Sequence, residues 1–266
     1  MSAPDVSVIV PTFGAEGTGA ILVAAVQSAL AQSGVEVEVI VVDDSAKGTV
    51  QKAVDAIGDR RVRYVKRGAP GGRAALGRNE GAKLARGRYL SFLDEEDQLA
   101  TGALHALAKA LDTTPSAGLA FGAVVPFGED EVDLRVQRAY FRNAAHVARR
   151  AKGRMRMVSK LLFGNPPFVS SACLVRREHV EWAGGYDLDV PCCEDTEMYA
   201  RIVRAFGFVF VDRPTLRMRT GIPSIFHPHD GQEELLRTSY ERIHSKYREA
   251  HGALEFYALK AFARLT

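Results

Sequence analysis

The chain has 266 residues, of which 47% are hydrophobic and 25% charged, a composition typical of a globular protein with a large core. Its net charge of +3 is too small to indicate binding to nucleic acid, and no apolar run is long enough to cross a bilayer. The first residues lack the basic and apolar segments of a signal peptide, and the three cysteines form no CxxC pair. We therefore expect a cytoplasmic protein.

The first half of the chain alternates strand patterns with helix patterns. Short apolar runs predict buried strands at residues 6–10, 35–42, 62–65 and 89–93. Apolar residues at helical spacing predict helices at about residues 18–32, 50–57, 73–85 and 101–111. Strands that alternate with helices form a parallel sheet covered on both faces, so we expect a doubly wound α/β fold.

The pattern changes after residue 125. We predict a basic helix at 143–160, strands at 170–175 and 208–211, a helix at 194–206 and a mixed-charge helical segment from about 230 to 266. The basic helix is interpreted first as a solvated face, with contact to anionic lipid or to a phosphate-bearing acceptor as the alternative.

Four consecutive acidic residues, Asp94 to Asp97, come directly after the predicted strand at 89–93. Carboxylates at the end of a buried strand repel each other unless a cation lies among them. The carboxyl edge of an open α/β sheet is where ligands bind, and Mg²⁺ and Mn²⁺ prefer carboxylates together with substrate phosphates. The motif therefore predicts a site for a divalent cation with a phosphate ligand, the alternative being a solvated acidic turn.

Two more strand ends are expected at the same edge of the sheet. Pro11-Thr12 ends the first strand and Asp43-Asp44 ends the second. The glycines of Gly14–Gly19 have the spacing GxxGxG rather than GxGxxG, so they are weak evidence for a dinucleotide site and are read as a turn before a helix.

Five segments, taken in order, resemble family 2 glycosyltransferases with the GT-A fold. They are VSVIVPTF at 6–13, VVDDS at 41–45, GRNEGA at 77–82, FLDEED at 92–97, and GGYD at 184–187 followed by Glu194-Asp195. The resemblance implies a mostly parallel sheet flanked by helices in a domain of residues 1–229. Residues 1–125 would form its nucleotide-binding half, 126–229 its acceptor-binding half, and 230–266 a C-terminal helical extension.

The resemblance also implies a donor site. Such enzymes transfer a sugar with inversion from a nucleotide-sugar, usually linked to UDP. The residues expected to contact the donor are Pro11, Thr12, Asp43, Asp44, Arg73, Arg78, Asp94 and Glu95. Among them, Asp44 would accept a hydrogen bond from the uracil N3–H, and Arg73 and Arg78 would approach the base or the phosphates.

The cation site departs from the family pattern. Family members usually have Asp-x-Asp at positions matching 94–96, whereas this chain has Glu96. The resemblance implies that Asp94 and Glu96 hold Mn²⁺ or Mg²⁺, with Asp97 as a substitute ligand and His227, in His227-Pro-His229, completing the site. The extra methylene of Glu96 leaves the choice of metal open, because Mg²⁺ demands near-octahedral geometry.

The catalytic base implied by the resemblance is Asp195, with Glu194 as the adjacent alternative; a carboxylate there would also cap the helix at 194–206. The acceptor is left open among a saccharide, a lipid carrier, a protein and a small natural product, as are peripheral membrane contact and the oligomeric state. Two other hypotheses remain. A nucleotidyltransferase would need a basic triphosphate loop, which the segment after the first strand lacks, and Glu96 motivates an impaired nucleotide-sugar binding module.

Overall fold

The computed structural model describes residues 3–15, 17–151, 153–221 and 232–264. Its strands are β1 (Val6–Thr12), β2 (Val37–Asp43), β3 (Val62–Lys66), β4 (Tyr89–Phe92), β5 (Gln98–Leu99), β6 (Leu119–Phe127), β7 (Cys173–Arg176) and β8 (Phe208–Arg219). Its helices are α1 (Gly19–Leu30), α2 (Gln51–Asp55), α3 (Ala74–Leu84), α4 (Ala103–Thr113), α5 (Glu131–Arg150), α6 (Arg154–Phe163), α7 (Arg177–Trp182), α8 (Glu194–Phe206), α9 (Gln232–His251) and α10 (Ala253–Ala263).

The strands form one mixed sheet with the order β3-β2-β1-β4-β7-β6-β8-β5. The neighbours β3, β2, β1 and β4 are all parallel, as the alternating pattern predicts, and β6 is parallel to β8. By contrast, β7 runs antiparallel to β4 and β6, and β5 runs antiparallel to β8. The predicted doubly wound α/β sheet is thus confirmed, and its second half is mixed rather than parallel.

The core lies on both faces of the sheet. All seven residues of β1 and of β2 are buried, because helices cover both faces. Ile9, Ile40 and Phe92 face a cluster that includes side chains of α6 and α8. Val8 and Val41 face the opposite cluster, to which α1 and α4 contribute. The register pairs Thr12 with Asp43, so the polar ends of β1 and β2 lie side by side.

Three sequence predictions were wrong in detail. The basic helix at 143–160 is two helices, α5 and α6, separated at Gly153, whose φ of +86° favours glycine. The helical segment at 230–266 is likewise divided into α9 and α10 at Gly252, with φ of +83°. The strand at 170–175 begins only at Cys173, because Ser170–Ala172 form a 3₁₀ turn.

None of the helices in the described ranges combines the length and the apolar character that crossing a bilayer requires.

A glycine brings the start of β4 against β1. A Cβ atom added to Gly87 would lie 2.5 Å from the backbone nitrogen of Ser7 and 2.8 Å from the carbonyl carbon of Val6. Backbone atoms cannot rotate away as a side chain can, so this close approach requires the absence of a side chain.

Replacing Gly87 with Ala is therefore expected to lower the free energy of unfolding by about 1–3 kcal/mol. Urea-induced unfolding measures the change. The matched control is Gly68→Ala, where an added Cβ meets no atom within 4 Å, and it should cost less than about 0.5 kcal/mol. A Gly87→Ala protein as stable as the wild type would mean that β1 and the start of β4 can separate at no cost.

Candidate active site

Thr12 connects the end of β1 to the acidic segment. Its hydroxyl donates a hydrogen bond to Oε2 of Glu95 and accepts one from the backbone N–H of Gly14 at 3.1 Å. Its carbonyl oxygen accepts a hydrogen bond from the N–H of Asp44 at 2.8 Å. The strand ends that were predicted to share one edge of the sheet are therefore in direct contact.

Asp43 and Asp44 are buried and have partners within the protein. Asp43 accepts hydrogen bonds from the N–H of Ser45 at 2.7 Å and from the hydroxyl of Tyr64 at 2.6 Å. Asp44 accepts from the N–H of Gly72 at 2.6 Å, from that of Gly71 and from the guanidinium of Arg67. Asp44, the predicted base contact, thus holds the loop at residues 67–72 over the end of β2.

Arg78 lies at the centre of the site. It is buried, and its guanidinium pairs with Asp94 at 2.6 Å and with Glu194 at 3.0 Å. It therefore joins three elements: α3, the acidic segment and the start of α8. Burial opposes its charge, but the carboxylates of Asp94 and Glu194 outweigh burial and raise the pKa of Arg78 well above its usual value.

The acidic segment is short of positive charge. Burial, followed by the repulsion of Asp94, raises the pKa of Glu96 to about 7. The same two causes raise the pKa of Asp97, which is 4% exposed and accepts a hydrogen bond from the N–H of Arg219 at 3.0 Å. The hydroxyl oxygen of Ser171 accepts a hydrogen bond from the N–H of Asp94 at 3.1 Å and so attaches the acidic segment to the turn before β7.

The residues present fit a hard cation in chemistry, because carboxylate oxygens are its preferred ligands and, besides burial, the repulsion of Asp94 raises the pKa of Glu96. Of the predicted ligands, Asp94 and Glu96 are partly exposed, whereas Asp97 is buried against β8. Within the described ranges, no three His, Cys, Asp or Glu side chains are already arranged around a common metal position. The predicted ligand His227, like His229, lies outside the described residues.

Glu194 and Asp195 begin α8, as the sequence predicted. They follow Cys193, whose φ of +59° is the only positive value of a non-glycine residue in the described ranges. The carboxylate of Asp195 accepts a hydrogen bond from the N–H of Thr196 at 2.7 Å. Burial raises the pKa of both acids, although the charge of Arg78 opposes the rise. A carboxylate with a raised pKa is a better proton acceptor near neutral pH than an ordinary one.

Two predicted donor contacts have structural partners. Pro11 packs closely on α3, since a Cβ added to Gly77 would lie 3.2 Å from the Cβ of Pro11. The guanidinium of Arg73 donates hydrogen bonds to the carbonyl oxygens of Leu188 and Val190. Arg73 thus ties the loop before α3 to the loop before α8, on the side of the catalytic candidates.

Sequence reasoning missed the residues that hold the site together. Asn79 donates to the carbonyl oxygen of Tyr186 and accepts from its N–H, both at 2.8 Å, and so pins the GGYD turn to α3. Asn79 belongs to the GRNEGA motif, which was a signal for it. Arg67, Tyr64 and Ser171 lie outside every motif, and only their distant partners reveal their roles.

A groove of about 1410 Å³ runs along α3, α8 and α9, away from these carboxylates. Two of the cations that line it are already paired: Arg201 binds Glu197 at 2.6 Å, and Lys246 binds Asp187. None of the acidic residues at the strand ends lines this groove, so we place the active site at the sheet edge and not here.

Solved structures share this fold. The structure of S. aureus TarS 1–349 in complex with UDP-GlcNAc has a TM-score of 0.66 and 17% identity, and the match covers 97% of this chain and 71% of that one. Together with the mixed sheet and its flanking helices, this similarity identifies the GT-A fold. Residues 7–184 match the family described as Glycosyl transferase family 2, and the chain therefore belongs to that family.

Two curated relatives match parts of the chain. Succinoglycan biosynthesis protein ExoO of Rhizobium meliloti (strain 1021) is 33% identical over 180 residues, which are 66% of this chain and 45% of that protein. The Escherichia coli protein WfaP, named UDP-Glc:alpha-D-GlcNAc-diphosphoundecaprenol beta-1,3-glucosyltransferase, is 35% identical over 96 residues, 36% of this chain and 37% of that protein. The chain spans about half the length of the Rhizobium relative.

Replacing Arg78 with Met is expected to lower the free energy of unfolding by about 3 kcal/mol, because it leaves Glu194, which is 12% exposed, and the partly exposed Asp94 without a counter-charge. Urea-induced unfolding at pH 5 and pH 8 measures the loss. The pKa of Glu194 is already raised and would rise further without Arg78, so protonation relieves the repulsion at low pH. The loss should therefore be smaller at pH 5.

The matched control is Arg61→Met, which breaks the ion pair with Asp59 in which the arginine side chain is 38% exposed. It should cost less than about 1 kcal/mol at either pH. Equal losses for the two variants would contradict a central role for the buried pair.

Proposed function

We propose that this protein transfers a sugar with inversion from a UDP-sugar to an acceptor, with Asp195 as the general base. The observation that carries the proposal is the contact of Arg78 with Asp94 and Glu194, which brings the start of α8 to the strand ends where a nucleotide diphosphate would bind. Family membership supports a sugar-transfer reaction, and the excess of carboxylates supports a donor accompanied by a cation.

In the proposed reaction, Asp195 takes the proton of an acceptor hydroxyl or amine as that atom attacks the anomeric carbon. The new bond forms opposite the bond to the β-phosphate oxygen, which breaks, and UDP leaves with the electron pair. Asp195 is partly exposed, so an acceptor can reach it, and its burial raises its pKa, so it binds the acceptor proton more strongly. A divalent cation held by Asp94 and Glu96, with Asp97 or His227 as further candidates, would offset the charge of the leaving diphosphate.

The donor contacts divide by position. We propose that Thr12, Asp43 and Asp44 lie beside the nucleoside, with the loop at 67–72 shifting when the base meets Asp44. Arg73 and Arg78 would contribute positive charge near the phosphates, and Pro11 and Glu95 would line the bottom of the donor site. We further propose that the acceptor is a saccharide carried on a lipid diphosphate, which is the kind of acceptor that the name of the E. coli relative specifies.

The domain boundaries remain part of the proposal. Residues 1–125 would bind the nucleotide, residues 126–229 would bind the acceptor, and the helices after residue 230 would form an extension. The first two parts meet in the sheet, where β4 pairs with β7, and at the contact of Arg78 with Glu194.

Replacing Asp195 with Asn should reduce kcat by about 10²- to 10⁴-fold and leave UDP affinity unchanged, because only proton removal is lost. Turnover with a panel of UDP-sugars and calorimetric titration with UDP measure the two quantities. In the wild type, kcat/KM should rise with pH, with a midpoint above the ordinary value of 3.8, because the pKa of Asp195 is raised.

Glu194→Gln is the matched comparison for this variant. A smaller loss of kcat than in Asp195→Asn supports Asp195 as the base, whereas a larger loss moves the assignment to Glu194. Absence of turnover in the wild type, with UDP binding retained, would favour the impaired binding module.

Removing the cation should weaken UDP binding. We expect Mn²⁺ to raise UDP affinity about tenfold or more in the wild type and less in Glu96→Gln, because a ligand carboxylate is lost. The enhancement should be larger at pH 8 than at pH 6, since a proton competes for Glu96, whose pKa is about 7. Calorimetry with and without Mn²⁺ measures it, with Glu249→Gln on α9 as the control. UDP affinity indifferent to Mn²⁺ in the wild type would overturn the cation site.

A further inference from the structure

The outward face of α10 is apolar although it lies in solvent. Leu254, Tyr257, Ala258 and Ala261 are all exposed, and their spacing places them along one side of the helix. Leu254 is 88% exposed and Tyr257 is 55% exposed. We call these four residues the α10 stripe. A surface helix normally turns its polar side to water, so an apolar side that is exposed to water indicates a contact surface.

The stripe is not the side that attaches α10 to the protein. Phe256 and Leu259, on the other side of the helix, are buried. Ser159 of α6 donates a hydrogen bond to the carbonyl oxygen of Leu259 at 2.8 Å. Glu255 pairs with Arg204 of α8 at 2.8 Å. These contacts fix the rotation of α10 about its axis, and the apolar stripe faces outward as a result.

Cations flank the stripe. Lys260 and Arg264 are exposed and lie one helical turn apart along one side of it. On the other side, the guanidinium of Arg156 from α6 lies 5.9 Å from the ring centre of Phe262. The one acid within Ala253–Ala263 is Glu255, which is turned inward to Arg204. The stripe thus combines apolar side chains with a rim of positive charge.

We propose that the α10 stripe docks on an anionic lipid bilayer. Leu254 and Tyr257 would enter the boundary between headgroups and acyl chains, and Lys260, Arg264 and Arg156 would meet the lipid phosphates. Helices that lie in the membrane interface have this combination of apolar and aromatic side chains flanked by Lys and Arg. The proposal takes up the lipid interpretation of the basic segment at 143–160 for one of its residues, Arg156, which contributes to the rim.

The charges favour lipid over a second copy of the chain. A two-fold contact would set the same surface of each copy against the other. Lys260 and Arg264 would then face their own counterparts, with no carboxylate of α10 to offset them. The inference goes beyond the transfer reaction and does not depend on it.

Flotation of the full chain with vesicles tests the proposal. Wild-type protein should float with vesicles of mixed phosphatidylcholine and phosphatidylglycerol and stay behind with phosphatidylcholine alone. The double variant Leu254→Ser/Tyr257→Ser should weaken partitioning about tenfold, because apolar burial is lost. Lys260→Gln/Arg264→Gln should weaken it about fivefold for each charge removed.

Val132→Ser/Val136→Ser is the matched control, since these two valines of α5 are 69% and 60% exposed and lie outside the stripe. It should leave vesicle binding unchanged. Calorimetric titration with UDP on every variant separates a lost surface from a lost fold and reports on the donor site independently.

Two results would overturn the proposal. The first is wild-type protein that floats with neither vesicle type, or double variants, Leu254→Ser/Tyr257→Ser and Lys260→Gln/Arg264→Gln, that both float as well as the wild type. The second is a dimer, measured by light scattering, that Leu254→Ser/Tyr257→Ser abolishes, which would assign the stripe to a second copy of the chain.

Discussion

The buried guanidinium of Arg78 holds the acidic segment after β4 and the start of α8 at fixed positions relative to each other. A charge removed from water is tolerated only while its counter-charges remain in place. Asp94 and Glu194 are those counter-charges, and they belong to elements that lie far apart in the sequence. Moving either element would leave Arg78 uncompensated, so one ion-pair network sets the geometry in which donor and base would meet.

One guanidinium does not balance the acids around it. The carboxylates at this edge of the sheet are Asp94, Glu95, Glu96, Asp97, Glu194 and Asp195. Burial raises the pKa values of Glu96 and Asp195, and the repulsion of Asp94 adds to the rise in both. The same burial that makes these negative charges unfavourable makes Asp195 a stronger base and makes the edge receptive to a cation. Stability and reactivity therefore oppose each other here.

The positions of the strand ends could be predicted from the sequence, because buried strands are short apolar runs and the acids follow them directly. The breaks at Gly153 and Gly252 were missed, since helical spacing continues across both and only the backbone angle reveals the interruption. The strand β6 was missed as well, because Gly122 and Pro126 interrupt its apolar run. The partners of Asp43 and Asp44 leave no local signal, as Tyr64 and Arg67 reach them across the sheet.

The side-chain amide of Asn79 forms its hydrogen bonds with the backbone of Tyr186 rather than with its side chain, and the two residues are 107 positions apart in the sequence. The adjacent Gly185 has φ of +78°, and an added Cβ there would lie 2.5 Å from Oδ1 of Asn79. The loop that follows is held next to α3 through its backbone, at Tyr186 by Asn79 and at Leu188 and Val190 by Arg73. Any exchange of that loop therefore has to keep Asn79, Gly185 and Arg73 together, whereas side chains of the loop that neither pair nor pack are free to vary.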